Sequence, residues 1–304
     1  MSTHTAVPED TLNGAGRGGN LERYDPEFTD KVINAMGPKT NPRLRTIMTS
    51  LIRHVHDFAR ECDLTVDEWM MGVNMINRCG QMSDDKRNES QLLCDVIGLE
   101  TLVDEITFKL AGEATDLATQ SAILGPFYRH DVPLSEMGTN ISDNTPNDAV
   151  PAYMFGKVTS AKTGKPLANV EIDIWQASTN GLYEQQDPEQ KDCNLRGRFK
   201  TGPNGEYSLY CLKPTPYPVP DDGPAGELLN LMDRQPFRPA HIHILAQCEG
   251  HKPIITQIFD KDSKFLDDDS VFAVKDALVV TFDPRKGDKL AQYELHYDVV
   301  LKSM

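Results

Sequence analysis

Apolar residues recur along this chain with two different periods, and the change falls about a third of the way in. In the first part the period is helical. A first helix is expected from Asp25-Pro26, an N-cap followed by proline at the first helical position, to Gly37. A second follows Asn41-Pro42, where Leu44, Ile47, Met48, Leu51, Ile52, Val55 and Phe58 fall on one face. A third opens on Thr65-Val66-Asp67-Glu68, a capping box, and stops near Gly80, with Met70, Met71 and Met75 as core volume. Ser83 to Asn88 reads as a solvated loop or a helix start, and a fourth helix runs from Glu89 to Leu110. At about 100° per residue, its Leu92, Leu99, Leu102, Val103, Ile106 and Leu110 share one face. Asp95 falls in the same arc, so it either finds a buried partner or lines a pocket.

After Gly112 the helical pattern stops. Residues 113 to 150 read as loop, with a turn at Gly125-Pro126, and then the period becomes two. Val170 to Trp175 alternates; Phe199 to Leu209 reads as a hairpin around Pro203-Asn204-Gly205. Further strands are expected at Arg238 to Leu245, Ile254 to Phe259, Ala277 to Phe282 and Tyr293 to Val299. Many short strands with turns between them indicate a β-sandwich. The expected plan is a disordered tail over 1–20, a helical domain over 21–112, and an all-β sandwich domain over 113–304. No internal repeat is present.

Composition narrows the function. The 304 residues are 39% apolar and 25% charged, as in soluble globular proteins, and no apolar run is long enough to span a membrane. The N-terminus lacks the pattern of a secretory signal. Six cysteines without a Cys-x-x-Cys pair read as reduced thiols of a cytoplasmic protein. A formal charge of −15 argues against a nucleic-acid partner, whose phosphates it would repel.

Candidate chemistry centres on Arg238-Pro239-Ala240-His241-Ile242-His243. On a strand, residues i and i+2 point to one face, so His241 and His243 can share a metal ion. His54-Val55-His56 has the same spacing, but on a helix its two histidines diverge by about 200° and cannot. Imidazole suits several metals, and a zinc hydrolase would need a further ligand such as His251. Tyr183, before Asp187-Pro188, and Tyr217, set among prolines, are ligand or packing candidates on their own settings.

Taken together, Trp175, Gly181-Leu182-Tyr183, Asp187-Pro188, Tyr217 and Arg238-Pro239-Ala240-His241-Ile242-His243 resemble the intradiol ring-cleavage dioxygenases, the catechol 1,2-dioxygenase group. Leu124-Gly125-Pro126-Phe127-Tyr128 is similar to the turn that leads into that family's β-domain, and the likeness runs from about Asp25 onward. The resemblance implies one non-haem Fe(III) per chain, held by Tyr183, Tyr217, His241 and His243. It implies O2-dependent cleavage of an aromatic diol, with Tyr217 leaving the metal as a base, Arg238 stabilising charge on the ring and Gln257 supporting it. It also implies a homodimer through the helical domain, which can enclose a phospholipid. By position, the substrate pocket would take in Leu92, Asp95, Ile123, Leu124, Gly125, Pro126, Phe127, Val219, Pro220 and Val271. Gln91-Leu92-Leu93-Cys94-Asp95-Val96 together with Leu124-Gly125-Pro126-Phe127 most resembles the hydroxyquinol 1,2-dioxygenase branch, and a carboxylate at Asp95 would accept a hydrogen bond from a third ring hydroxyl. Alternatives are catechol as substrate, or a β-sandwich binding module that has lost its metal.

Overall fold

The computed structural model describes residues 25–84, 87–111, 117–143 and 146–304; the tail expected over 1–20 lies outside them. The chain forms two compact units that divide between Asn74 and Met75.

In the first unit, α1 (Phe28–Asn34) and α2 (Pro42–Glu61) are followed by the first half of α3 (Val66–Met82). The starts expected for the second and third helices are observed, whereas α1 begins at Phe28 with Glu27 at its N-cap and ends at Asn34, short of the expected Asp25 to Gly37. Asn41 Oδ1 accepts from Arg43 N at 2.9 Å. Glu68 Oε2 accepts from Thr65 N at 2.8 Å, and Thr65 Oγ1 accepts from Glu68 N at 3.3 Å, a reciprocal capping box. The apolar stripe of α2 stays about half exposed at Leu44, Ile47, Leu51, Val55 and Phe58.

In the second unit the expected fourth helix is two helices, α4 (Glu89–Val96) and α5 (Leu99–Ala111). Gly98 breaks it, with φ +73°, a conformation that glycine adopts at no steric cost. A Cβ there would meet Phe272 Cδ2 at 3.2 Å. The break separates two faces that the periodicity had joined. Leu92 and Asp95 are buried, whereas Leu99, Leu102, Val103 and Ile106 are exposed.

The remaining chain is a two-sheet sandwich. Its strands are β1 (Pro151–Ser160), β2 (Glu171–Trp175), β3 (Arg196–Lys200), β4 (Glu206–Leu212), β5 (Tyr217–Pro218), β6 (Phe237–Arg238), β7 (His241–Gln247), β8 (Ile254–Asp260), β9 (Val279–Val280), β10 (Asp283–Pro284), β11 (Tyr293–His296) and β12 (Val299–Leu301). One sheet has the order β10-β11-β1-β12, with β4 also on β1; the other runs β3-β2-β7-β8-β9. The strands β5 and β6 form a separate ribbon. A short helix, α6 (Pro224–Leu231), lies between them in the sequence and packs against α4.

Five strand expectations need correction. The Arg238 to Leu245 strand is interrupted at Pro239-Ala240 into β6 and β7, and the Tyr293 to Val299 strand at Tyr297-Asp298 into β11 and β12. The Phe199 to Leu209 segment is not a hairpin: β3 pairs with β2 and β4 with β1, so the Pro203-Asn204-Gly205 turn carries the chain from one sheet to the other. The loop expected up to residue 150 is followed by β1, which had not been foreseen. The Ala277 to Phe282 strand is reduced to β9 after a 3-10 turn at Asp276–Leu278.

The sandwich core sets the direction of the histidine strand. Ile242, Ile244 and Ala246 of β7 pack inward with Ile172, Ile174, Met154, Leu209 and Leu295. Burying each of these large side chains stabilises the fold by about 1.5–3 kcal/mol. The alternation of β7 then turns His241, His243 and Leu245 to the opposite face. None of the described helices is long and apolar enough to cross a membrane.

Candidate active site

The outward face of the second sheet carries the site. Register places Trp175 on β2 opposite His243, and His243 opposite Gln257 on β8. The β5–β6 ribbon places Tyr217 opposite Arg238. Tyr183 enters from the loop after β2. It is anchored where its N donates to Gln186 Oε1 at 3.0 Å and Gln186 N donates back to Tyr183 O at 2.9 Å.

Four side chains from three segments meet there. Tyr183 Oη lies 3.0 Å from Tyr217 Oη and 3.1 Å from His243 Nε2. Tyr217 Oη lies 3.3 Å from His241 Nε2. Tyr183, His241 and His243 are at most 2% exposed, and Tyr217 is 6% exposed. The Nδ1–H of His241 donates to the Pro239 carbonyl at 2.7 Å, which leaves Nε2 as the bare nitrogen facing the cluster. The His243 ring is stacked on Trp175 at 4.7 Å and 11°. The chain also passes closely at Gly125: a Cβ there would lie 3.3 Å from His243 Cε1, and Gly125 has φ +74°.

Burial, then Arg238, holds the His241 imidazole well below its usual range; burial, then His241, does the same for His243. Both are neutral rings with a free donor atom. The two phenols are pushed up, Tyr183 strongly, first by burial. Two neutral imidazoles and two phenols that only a cation would deprotonate form a ligand set for a hard metal ion.

Arg238 binds the cluster to its surroundings. Its Nη1 lies 3.1 Å from His241 Nε2, its Nη2 donates to Gln257 Oε1 at 2.7 Å, and its Nε donates to Asp269 Oδ1 at 3.1 Å. It also reaches the Tyr217 hydroxyl. Gln257 in turn donates to the Ile123 carbonyl at 2.7 Å. Burial works against the charge of Arg238, but Asp269 and the two tyrosines outweigh it and hold the guanidinium above its ordinary range.

The sequence-derived pocket residues fall in two groups. Leu92, Ile123, Val219 and Val271 share one buried apolar cluster. Phe127 belongs with Trp175, Tyr183 and Tyr217, stacked on the Tyr183 ring at 4.7 Å, and Leu124 packs against that group. Pro126 and Pro220 are half-buried beside their neighbours in these segments. Asp95 is buried, and Arg238 and Asp269 are among the charged groups that act on it. His251 is not part of the site: it sits in the turn between β7 and β8, with Nδ1 3.4 Å from Cys248 Sγ.

Sequence reasoning missed Asp269. It closes the run Asp267-Asp268-Asp269, which reads as a solvated charge cluster, yet Asp269 is buried while Asp267 and Asp268 are exposed. Its carboxylate also accepts from Val271 N at 3.3 Å and Ala273 N at 3.0 Å. An acid two residues before the apolar Val271-Phe272-Ala273 run was the available signal.

Comparison with known proteins agrees with this geometry. Residues 123–303 match the dioxygenase family, and residues 41–115 match the catechol dioxygenase N terminus. Over 280 residues the chain is 51% identical to an intradiol ring-cleavage dioxygenase of Aspergillus niger, covering 92% of this chain and 89% of that protein. It is 46% identical to the catechol 1,2-dioxygenase of Candida albicans, covering 90% and 91%. The solved hydroxyquinol 1,2-dioxygenase from Pseudomonas putida DLL-E4 has a TM-score of 0.80 and 34% identity, covering 91% of this chain and 98% of that one. With its helical N-terminal part, its β-sandwich and its paired tyrosines and histidines, the chain belongs to the intradiol ring-cleavage dioxygenases.

Proposed function

We propose that this enzyme opens hydroxyquinol, benzene-1,2,4-triol, between its two adjacent hydroxylated carbons, using O2 and one Fe(III) per chain. The product is 3-hydroxy-cis,cis-muconate, which tautomerises to maleylacetate. The observation that carries the chemistry is the buried convergence of Tyr183, Tyr217, His241 and His243.

These four residues suit a ferric ion. Two phenolates are hard anionic donors, and with one hydroxide they balance a 3+ charge in a buried site. His241 and His243 offer neutral nitrogens, and His241 is fixed in the required tautomer by Pro239. When bound, the ion would supply Lewis acidity to the diol and a redox path between the electron-rich ring and O2.

The residues do the rest. Tyr217 would be one of the residues that hold the ion, and its phenol oxygen, the one Arg238 reaches, is the base placed to take a proton from the diol. Arg238, held by Asp269 and Gln257, keeps a fixed positive charge where negative charge develops on the ring. Leu92, Val219 and Val271 provide apolar walls that suit the ring and exclude water. Asp95 is the polar exception and faces the third hydroxyl. Self-association through the half-exposed α2 stripe, with room for a phospholipid, belongs to the same reading. So does a cytoplasmic location, which the six free thiols support.

The second reading is catechol cleavage to cis,cis-muconate, and the 46% identity to the Candida albicans enzyme favours it. Product identification and kcat/KM across catechol, the triol and ring-substituted catechols decide between them. The triol is expected to be preferred, and Asp95→Ala to narrow that preference by about 1–3 kcal/mol. Equal or better kcat/KM for catechol in the unmodified enzyme would defeat the substrate assignment and leave the metal site standing.

A further inference from the structure

Asp95 and Glu100 face each other across the break between α4 and α5. Asp95 is 1% exposed, and its Oδ1 has no hydrogen-bond partner among the described residues. Its side chain is within hydrogen-bonding reach of Glu100. Glu100 is half-buried, and its Oε2 accepts from Gln91 Nε2 at 2.9 Å. An ionised carboxylate is acceptor-only, so two carboxyl groups in a hydrogen bond must hold a proton between them.

The joint that holds this pair is fixed. Thr101 Oγ1 donates to the Val271 carbonyl at 2.9 Å, and Arg234 Nη2 donates to the Ser270 carbonyl at 2.9 Å. Arg234 Nη1 donates to the Val96 carbonyl as well. Asp95 therefore cannot swing to water to lose its proton cheaply. The other charged groups that face it come from two directions, Arg238 on β6 and Asp269 in the loop after β8, and they oppose each other in sign. On its own helix the neighbouring titratable group is the Cys94 thiol, itself raised by burial.

We propose that Glu100 is a positioning residue that keeps Asp95 a neutral acid, so that the third ring hydroxyl meets an uncharged carboxyl group and donates to Oδ1. This rests on the reading of Asp95 as the residue that faces the substrate, and it corrects the expectation of a carboxylate at that position. Burial first, and then Glu100, pushes Asp95 from 3.8 up to about 9. The sign follows from linkage: between those values the folded protein keeps a proton that the unfolded chain releases. The associated stability is fully present below the unfolded value and is lost as pH rises through the folded one.

Two measurements on the purified holoenzyme test this. The first is difference infrared spectroscopy of the unmodified enzyme against Asp95→Asn. A protonated-carboxyl carbonyl band is expected at neutral pH, titrating away near the upper value, and missing in Asp95→Asn. In Glu100→Gln the side-chain amide donates to Asp95, so the band should vanish at a pH lower by on the order of one unit or more. Absence of the band at neutral pH overturns the proposal, and an unmoved edge in Glu100→Gln removes Glu100 from it. The second is substrate preference. Asp95→Asn keeps an uncharged carbonyl acceptor and should retain the triol preference within about threefold, whereas Asp95→Ala loses it. Equal losses in both variants would mean that a charged carboxylate is required, which contradicts the proposal. If the unmodified enzyme does not prefer the triol, the substrate reading fails, and the infrared band still decides the proton independently.

Discussion

His54 and His56 on α2, and His241 and His243 on β7, have the same spacing and enclose the same kind of residue, Val55 or Ile242. On α2 the two rings go separate ways. His54 is exposed, and His56 turns toward α1, 3.0 Å from Thr29 Oγ1 and stacked on Phe28 at 5.5 Å. On β7 the ring centroids are 4.9 Å apart and both rings are buried. The triplets do not decide this; their flanks do. Just after Pro239-Ala240, β7 begins at His241 and buries Ile242 and Ile244 in the sandwich, whereas Leu51, Val55 and Phe58 repeat with helical period. On β7 both rings are held toward one cluster, His241 by the Pro239 carbonyl and Arg238 and His243 by the Trp175 ring, whereas on α2 only His56 is held, and it is held away from His54. A His-x-His motif is a ligand pair only where the backbone period aligns it and further groups fix each ring.

The largest expected effect breaks the comparison at its centre. His241→Ala or His243→Ala should lower kcat/KM by at least about a thousandfold, a loss of roughly 4 kcal/mol of transition-state stabilisation, with loss of bound iron. His54→Ala and His56→Ala should leave kcat/KM within about twofold, since surface and packing changes act on stability and not on chemistry. Steady-state kinetics with metal analysis on the four variants checks this. A helix variant as damaging as a strand variant would erase the distinction.

A smaller effect tests the support around the strand pair. Asp269→Asn removes the ion partner of Arg238 and keeps the side chain's shape. It should lower kcat by about 10–100-fold, with iron content retained and KM changed little. An unchanged kcat would show that Gln257 alone suffices to hold the guanidinium.

What could be read from the sequence follows from how local each signal is. The helix caps at Asn41 and Thr65 are set by adjacent residues, and they are where expected. The convergence of Tyr183, Tyr217, His241 and His243 was legible only in part: strand period pairs the two histidines, but the tyrosines lie in other segments, and it was the family resemblance, not their own settings, that joined them to the pair. The strand β1 was hidden because its inward residues, Ala152, Met154, Gly156, Val158 and Ser160, are mostly small, while Tyr153 and Phe155 point outward. Its bulk runs against its burial, so the alternation did not show. The false hairpin had a genuine turn signal; only the sheet topology tells that its strands find other partners. The apolar period runs on through Gly98 and so hid the break, because a lone glycine costs a helix only about 1 kcal/mol; the left-handed φ of +73° and the closeness of the Phe272 ring are tertiary features that end α4 there. Asp269 and Glu100 act on partners far away in the sequence or across a break in the helix, and no local pattern encodes that.

The central claim is that the strand histidines and the two tyrosines together hold a ferric ion. The most direct measurement is metal content with the visible spectrum of the enzyme as purified, beside Tyr217→Phe. About one iron per chain is expected, with a wine-red colour from tyrosinate-to-iron charge transfer that weakens in Tyr217→Phe without vanishing. A colourless, zinc-loaded protein with full activity would contradict it.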